Sequence, residues 1–380
     1  MAEKLVDIES IGSYFESLSD PRHERNRKHR LLDVIVLSIV GILCGASGPT
    51  AIHRIAVQRK EWLQGFLTLA NGIPSRDCIR RVLMYIEPAA FQKCFEMWSQ
   101  QMFATGVPGA KRLVHIDGKA CRGSHDVSKD LGVLHIVSAW ASEEGLALGQ
   151  VACADKSNEI TAIPELLRQI SVKDCLISID AMGCQKEIAS AIVDKEGDYV
   201  LAVKQNQPTL YNEVEKNFLA SYEEEVEGLK YRDFETRERG HGRFDERSYR
   251  VMPIPKDWPL KKEWPSVKAL GQAIRVSQEG NDLETVEVRY YILNRQAGVK
   301  RFAEAVRSHW SIESMHWVLD VVFREDESRT RERILGNNLS WLRRYAVSLL
   351  KNYDMKDSIR GKMTCCLLNT DILTQVLIGK

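Results

Sequence analysis

The pattern of apolar and polar positions changes twice along the chain. Up to about residue 105, apolar residues recur at the three- and four-residue spacings of helices, and the run 31–46 is apolar almost throughout. Between residues 111 and 204, short apolar runs alternate with helical patterns, and helical spacing returns after residue 299. We therefore predict an α/β protein in which helices precede and follow a sheet.

The central segment is predicted to form one mixed sheet. Gly145 makes the turn of a hairpin, so that three antiparallel strands come first and alternating helices and strands follow. This order of elements matches a ribonuclease H-like core with helices on the faces of the sheet. The predicted strands are 112–117, 132–141, 145–153, 174–180 and 198–204, and the predicted helices are 159–170 and 183–194.

The alternation stops after residue 205, and a β-rich insertion is predicted there. The segment contains a polar acidic helix (211–227), a Gly240-His241-Gly242-Arg243 turn and two strand-like stretches (248–252 and 286–293). The chain then divides into four parts. These are an N-terminal helical domain (1–108), the first part of the core (109–205), the insertion (206–292) and the second part of the core with further helices (293–380).

Charge and cysteine content narrow the class of protein. Lys and Arg number 53 and Asp and Glu 52, so any polyanion must be bound by local basic patches rather than by the total charge of +1. Nine cysteines without a Cys-x-x-Cys pair are typical of reduced thiols in a cytoplasm.

The run 31–46 contains Asp33 and is shorter than the ~20 residues of a membrane span, so we expect a buried helix and no membrane association.

Two predicted strands end in an aspartate. Asp117 follows the first strand of the core and Asp180 follows the fourth, which the predicted topology places beside the first. Strand ends are often rich in Asp for turn reasons alone. Two carboxylates side by side at one sheet edge are, however, expected to share cations rather than remain unpaired like charges.

Glu313 stands out in the predicted helix 299–323. On a helical wheel it falls on the face defined by the apolar residues Phe302, Val306, Trp310, Trp317 and Val321. A carboxylate buried there needs a partner, which is either a metal ion or an arginine such as Arg307. Glu313-x-x-His316 is also half of a di-iron motif, but the other Glu-x-x-His, at Glu238, runs into a glycine turn. Asp320 is expected to pair with Arg324.

Ordered blocks across nearly the whole chain resemble the DDE transposases of bacterial insertion sequences, in the H-repeat-associated group. The blocks include His29-Arg30-Leu31-Leu32-Asp33-Val34, Asn71-Gly72-Ile73-Pro74-Ser75, His115-Ile116-Asp117-Gly118-Lys119, Lys156-Ser157-Asn158-Glu159-Ile160, Asp180-Ala181-Met182-Gly183-Cys184-Gln185 and His309-Trp310-Ser311-Ile312-Glu313.

The resemblance implies a ribonuclease H-like nuclease and strand transferase. Asp117, Asp180 and Glu313 would be its catalytic, metal-binding triad, with two Mg²⁺ ions expected and Mn²⁺ as a substitute. Water would nick the ends of a mobile element, and the freed 3′-hydroxyl would attack target DNA. The resemblance also implies a cytoplasmic, nucleoid-associated protein that works as a dimer on paired DNA ends.

One part of the related signature is missing. The broader group places Tyr, Arg and Lys around the glutamate, and this chain has Val306, His309 and Asp320 at those positions. Arg307, His309 or Arg324 are candidates for the positive group.

Basic patches that could contact DNA occur along the chain, each with a solvated or acid-paired surface as the alternative. The candidates are Arg25, Arg27, Lys28, Arg30, Arg80, Arg81, Lys119, Arg239, Arg243, Arg307, His309 and Arg324. Two other functions stay open at this point: a DNA-binding remnant of a mobile element without catalysis, and a stand-alone DNA nuclease. The terminal repeats, target preference, second-strand cleavage and subunit number are beyond the sequence.

Overall fold

The structure is a computed structural model, and it describes residues 8–15, 17–103, 112–129, 132–153, 159–223, 231–240, 243–279, 284–296 and 298–378. The predicted boundary between the N-terminal domain and the core, at residues 108 and 109, lies outside these residues.

Fourteen helices and nine strands are present in the described part of the chain. The N-terminal helices are α1 (Ile8–Phe15), α2 (Leu31–Leu43), α3 (Pro49–Gln58), α4 (Lys60–Gln64), α5 (Arg76–Tyr85) and α6 (Pro88–Phe103). The central elements are β1 (Arg112–Cys121), β2 (Leu134–Ala141), β3 (Leu146–Cys153), α7 (Glu159–Gln169), β4 (Cys175–Ile179), α8 (Lys186–Asp194), β5 (Asp198–Val203) and α9 (Pro208–Tyr222). The remaining elements are β6 (Arg232–Gly240), β7 (Arg243–Pro253), β8 (Ala269–Glu279), β9 (Thr285–Leu293), α10 (Val299–Ser308), α11 (Trp310–Val321), α12 (Arg333–Asn352), α13 (Ile359–Leu368) and α14 (Thr370–Ile378).

All nine strands belong to one mixed sheet with the order β3-β2-β1-β4-β5-β9-β8-β7-β6. Strand β4 pairs in parallel with β1 and with β5, whereas β2 pairs antiparallel with β1 and with β3. Gly145 makes the β2–β3 turn at a φ of 64°, in the left-handed region that glycine enters without steric cost. The predicted mixed α/β sheet is confirmed.

The strands of the predicted insertion extend this sheet instead of forming one of their own. Strand β9 pairs antiparallel with β5, and β8, β7 and β6 follow outward. Of the predicted glycine turn, His241 and Gly242 lie outside the described residues, whereas Gly240 pairs with Arg243 at the end of the β6–β7 hairpin.

The two faces of the sheet bury different helices. Successive side chains of a strand point to opposite faces. In β1, Val114 and Ile116 pack in the cluster that contains residues of α7, α8 and α9, and Leu113 packs with Phe302 of α10. His115, Asp117 and Lys119 therefore share the face of Leu113, toward α10 and α11.

A third core joins the two ends of the chain. Apolar side chains of α2, α5 and α6 pack together with those of α12, α13 and α14. The predicted buried helix at 31–46 is α2, and its Asp33 accepts a hydrogen bond from the Leu69 amide at 3.2 Å. Ser75 caps α5, since its Oγ accepts a hydrogen bond from the Cys78 amide. None of the helices that the structure describes meets the length and hydropathy of a membrane span.

The predicted single helix 299–323 is two helices. Helix α10 ends at Ser308, and α11 begins at Trp310. At the junction the Ile312 amide donates to the carbonyl of His309, an i→i−3 bond typical of helix ends. The buried side also changes between the two helices, from Phe302, Ala303 and Ala305 in α10 to Ile312, Met315 and Leu319 in α11. The apolar positions of the two segments therefore do not form one buried face.

Candidate active site

Asp117 and Asp180 occupy neighbouring positions on parallel strands. The last pair of the β1–β4 register is Ile116 with Ile179, and the two aspartates come next on each chain. Adjacent strands are about 5 Å apart, so the two backbones hold the carboxylates close together. Strand β1 runs on to Cys121, paired with β2, and therefore does not end at Asp117 as predicted.

Asp117 lies in a crowded acidic environment. Burial raises its pKa to about 7, and the charges of Asp180, Glu159 and Glu313 contribute to the increase. Its Oδ2 lies 3.6 Å from Nδ1 of His316 on α11. Burial lowers the pKa of His316 to about 3, so this imidazole is neutral and brings no positive charge. We call Asp117, Asp180, Glu159 and Glu313 the acid cluster.

The turn after β4 orients Asp180. This residue is the N-cap of a short 3₁₀ turn, Ala181–Gly183, and its side chain accepts a hydrogen bond from the Gly183 amide at 3.4 Å. Capping places the carboxylate at the strand end and restrains its rotation. The two aspartates are thus both fixed by backbone structure.

Glu313 is exposed, and the prediction that it is buried was wrong. The supposed apolar face of α11 lies at the surface, where Trp310 is 48% and Trp317 is 60% exposed, whereas Ile312, Met315 and Leu319 are buried. The alternative partner considered for Glu313, Arg307, pairs with Glu238 instead. Partial burial raises the pKa of Glu313, and the positive charge of Arg289 opposes that rise.

The acid cluster is open rather than a closed metal cage. Among the described residues, no three His, Cys, Asp or Glu side chains are close enough together to hold an ion. The donor chemistry nevertheless fits a hard divalent cation, because the four members of the acid cluster offer carboxylate oxygens. The raised pKa of Asp117 reflects burial and like-charge repulsion, which a bound cation would offset.

Glu159 was missed as a member of the cluster. It lies in the first turn of α7 and is 7% exposed. A Cβ atom built on Gly118 would lie 2.4 Å from its Oε1, so only glycine allows this approach. The signal available in the sequence was a glycine inside a strand, directly after Asp117.

Lys119 lies in a buried ion network, which corrects the expectation that it contacts phosphate. Its side chain is 6% exposed, and its Nζ lies 2.7 Å from Asp320, 3.1 Å from Asp326 and 3.5 Å from Glu325. Glu325 also lies within 3.6 Å of Arg343 and 3.4 Å of Arg344 on α12. We call this set the ion network. Asp320 therefore pairs with Lys119, and Arg324 pairs with Glu327 instead.

His309 belongs to a buried chain of hydrogen bonds. Its Nδ1 lies 2.7 Å from Oγ of Ser178, which lies 2.6 Å from Nδ1 of His115. Burial lowers the pKa of His309 to about 4, although the charge of Asp180 opposes this. A neutral, half-buried imidazole cannot supply the positive group for which His309 was a candidate.

The other basic candidates lie at the surface. Arg25, Lys28, Arg80, Arg81 and Arg239 are exposed. Arg27 donates to the carbonyls of Arg22 and Asp20, and Arg30 donates to Oγ1 of Thr68 at 2.7 Å. Arg243 and Arg307 lie apart from these, in a cleft beside α11.

Comparisons with known proteins identify the family of the chain. A family model described as "Transposase DDE domain" matches residues 104–349, and one described as "DDE_Tnp_1-associated" matches residues 13–99. The chain belongs to the DDE transposase family. The resemblance drawn from the sequence is thereby confirmed.

Two relatives of this DDE transposase extend the match over nearly the full length. "Putative transposase YncI" of Escherichia coli O157:H7 is 40% identical, with 98% of this chain and 95% of the relative aligned. "H repeat-associated putative transposase YhhI" of Escherichia coli K12 is 33% identical, with 98% and 99% aligned. A piggyBac transposase chain, solved in a synaptic complex with hairpin DNA, aligns over 98% of this chain and 79% of its own length. The sequence identity is 9% and the TM-score is 0.40, so the structural similarity is remote.

Proposed function

We propose that this DNA transposase hydrolyses the phosphodiester at the ends of its element and then joins the freed 3′-hydroxyl to target DNA. Asp117, Asp180 and Glu313 are the proposed catalytic acids. The observation that carries the proposal is the register of β1 and β4, which sets Asp117 and Asp180 side by side on the face that α11 covers. The proposed type of reaction is the one expected of the DDE transposase family, to which the chain belongs.

Each acid has a distinct structural role in this proposal. Asp117 and Asp180 present their oxygens from a rigid sheet, whereas Glu313 presents its carboxylate from the exposed side of α11. A Mg²⁺ or Mn²⁺ pair held by these three carboxylates would supply Lewis-acid stabilisation and activation of water or a 3′-hydroxyl. Asp117 must be ionised to act as a ligand, and its pKa of about 7 makes that sensitive to pH near neutrality.

We also infer that the core is ribonuclease H-like. Supporting this are the strand order β3-β2-β1-β4-β5, with three antiparallel strands followed by two parallel ones, and helices on both faces. Residues 1–108 are proposed to bind DNA together with the outer strands. A dimer on paired ends and a cytoplasmic location remain proposals by analogy with the family.

Incubation of the purified chain with DNA carrying the inverted repeats of its own element, together with a target plasmid, tests this function. We expect nicks at the element ends and joined products in Mg²⁺ or Mn²⁺, and neither in EDTA. Binding without nicking in either metal would contradict catalysis and favour a DNA-binding remnant. Nicking without joining would favour a stand-alone nuclease.

A further inference from the structure

A cleft beside α11 is rich in arginine. It has a volume of about 480 Å³ and opens between the outer strands β7–β9 and the helices α10 and α11. Its lining includes Arg243, Arg247, Arg275, Arg289, Arg307 and Trp310, and we call it the arginine cleft.

Strand pairing brings two of these arginines together. Arg247 and Arg275 are directly opposite each other in the β7–β8 register, an arrangement that is unfavourable for like charges. Asp245, 8% exposed, stabilises it, since it lies 2.9 Å from Arg247, 3.0 Å from Arg275 and 3.2 Å from Arg243. The guanidinium groups are thus held in fixed positions before any ligand arrives.

The cleft keeps a positive charge after its ion pairs are counted. Arg247 and Arg307 share Glu238, and Arg289 pairs with Glu287 at 2.7 Å. In the described part of the chain, the five arginines form ion pairs with three carboxylates, those of Asp245, Glu238 and Glu287, and Glu313 acts on Arg289 at longer range. Two guanidinium groups are thus left without a paired carboxylate of their own.

The inner end of the cleft adjoins the proposed catalytic glutamate. The guanidinium of Arg289 lies 5.5 Å from the ring centroid of Trp310, and its charge also acts on Glu313, one turn along α11. Almost half of the Trp310 surface is exposed. An anion in the cleft would therefore lie beside an aromatic surface and lead toward Glu313.

We propose that the arginine cleft binds a short single-stranded segment of DNA, with its phosphates on Arg275 and Arg289 and a base stacked on Trp310. This rests on the proposed function, because it gives the strand a path to Glu313. Guanidinium forks match phosphate oxygens, and an exposed indole stacks on any base. The arginines of β7, β8 and β9 span about 10 Å, which suits a linear polyanion better than a single ion.

The size of the cleft favours one strand over a duplex. Its volume is that of a pocket for one small ligand. We therefore infer that the DNA segment bound inside it is locally unpaired, as at an opened element end.

Binding without metal tests this proposal separately from catalysis. The full chain in EDTA is titrated into a fluorescein-labelled ten-nucleotide single strand and a duplex of the same sequence, at several salt concentrations. We expect the double variant Arg275→Gln/Arg289→Gln to weaken single-strand binding at least about tenfold and to lower the salt slope by about 1.4, for two lost phosphate contacts. Duplex binding changes less.

A matched control removes the same charge elsewhere. The control is Arg295→Gln/Arg301→Gln. Arg295 pairs with Asp198 and Arg301 pairs with Glu143, and neither arginine lines the cleft. We expect the control to weaken single-strand binding less than about twofold. Equal losses of single-strand affinity in the two double variants would overturn the proposal. The proposal would also be overturned if Arg275→Gln/Arg289→Gln left single-strand binding unchanged but converted a dimer to a monomer. In that case the cleft would be a contact between protein chains.

Tryptophan fluorescence gives a second, independent reading. We expect the single strand to quench the fluorescence of the chain, and Trp310→Phe to remove most of that quenching while binding stays within about twofold, because phenylalanine still stacks. Undiminished quenching in Trp310→Phe would place the strand elsewhere. Cleft-dependent binding without cleavage in Mg²⁺ would contradict the proposed function and leave the cleft as a single-strand site.

Discussion

The acid cluster and the ion network lie on the same face of β1, two residues apart, and have opposite electrostatics. Burial and like charges raise the pKa of Asp117 to about 7. Glu325 is more deeply buried, yet the charges of Arg344, Arg343 and Lys119 outweigh burial and lower its pKa to about 2. The ion network has its countercharges built in and joins β1 to α12. At Asp117 the causes of the pKa shift include no positive side chain, as expected of a carboxylate whose positive partner comes from outside.

Removal of the central acid of the ion network should give the largest loss of stability. Glu325→Gln leaves Lys119, Arg343 and Arg344 buried without their shared countercharge, and we expect a loss of about 3–5 kcal/mol in the free energy of unfolding by urea. Glu327→Gln is the control, because Glu327 is 61% exposed and pairs only at the surface, with Arg324. A loss below about 1 kcal/mol in the free energy of unfolding of Glu325→Gln would contradict the claim that the ion network, unlike the acid cluster, depends on its own countercharges.

Asp117 should behave in the opposite way. Because its folded pKa is raised from 3.8 to about 7, the loss of stability grows as the pH rises from 3.8 to 7, is complete above pH 7 and is absent below the ordinary pKa. Asp117→Asn should therefore stabilise the chain in EDTA at pH about 8, by at most about 4 kcal/mol. The gain should shrink as the pH falls through 7 and vanish near 4.

Urea unfolding at pH about 8, 6 and 4 measures this trend. Asp77→Asn serves as the control, since Asp77 is 63% exposed on α5 and its replacement should change stability by less than about 0.5 kcal/mol at each pH. A destabilised Asp117→Asn at pH about 8 would show that the acid cluster is compensated after all.

The contact between Gly118 and Glu159 offers a smaller test. A methyl group at position 118 would meet the Glu159 carboxylate, so Gly118→Ala should cost about 1–3 kcal/mol. The double variant Gly118→Ala/Glu159→Ala should recover part of that loss, because the clash is removed. If the losses in the free energy of unfolding by urea from the two single substitutions simply add in the double variant, the two residues are not in steric contact.

Glu313→Gln should have the smallest effect on stability. Its side chain is exposed, so we expect a change of less than about 0.5 kcal/mol in the free energy of unfolding, in contrast to Glu325→Gln. Thermal unfolding of both variants under one condition makes the comparison. A large loss in Glu313→Gln would assign this residue to the fold rather than to the site.

The sequence predicted those features that depend on local pattern. Strand periodicity and the Gly145 turn gave the core sheet, and strand order placed Asp117 beside Asp180. The helical wheel failed for Glu313, because Ile312, Met315 and Leu319 form the buried side of α11 and its tryptophans lie at the surface.

Long-range charge partners were beyond the sequence. Lys119 looked like a turn residue, because the acids that bind it follow about 200 positions later, at Asp320, Glu325 and Asp326. Similarly, Arg289 gave no sign in the sequence that its charge acts on Glu313. Such pairs depend on how distant elements pack, which residue spacing does not encode.

Single-turnover cleavage of element ends in Mg²⁺ tests the central claim most directly. Asp117→Asn, Asp180→Asn and Glu313→Gln should each lower the rate by at least about 10³-fold, and a double variant should lose little more, because the three acids act as a unit. A Glu313→Gln chain that cleaves within about tenfold of the unaltered protein would contradict the account.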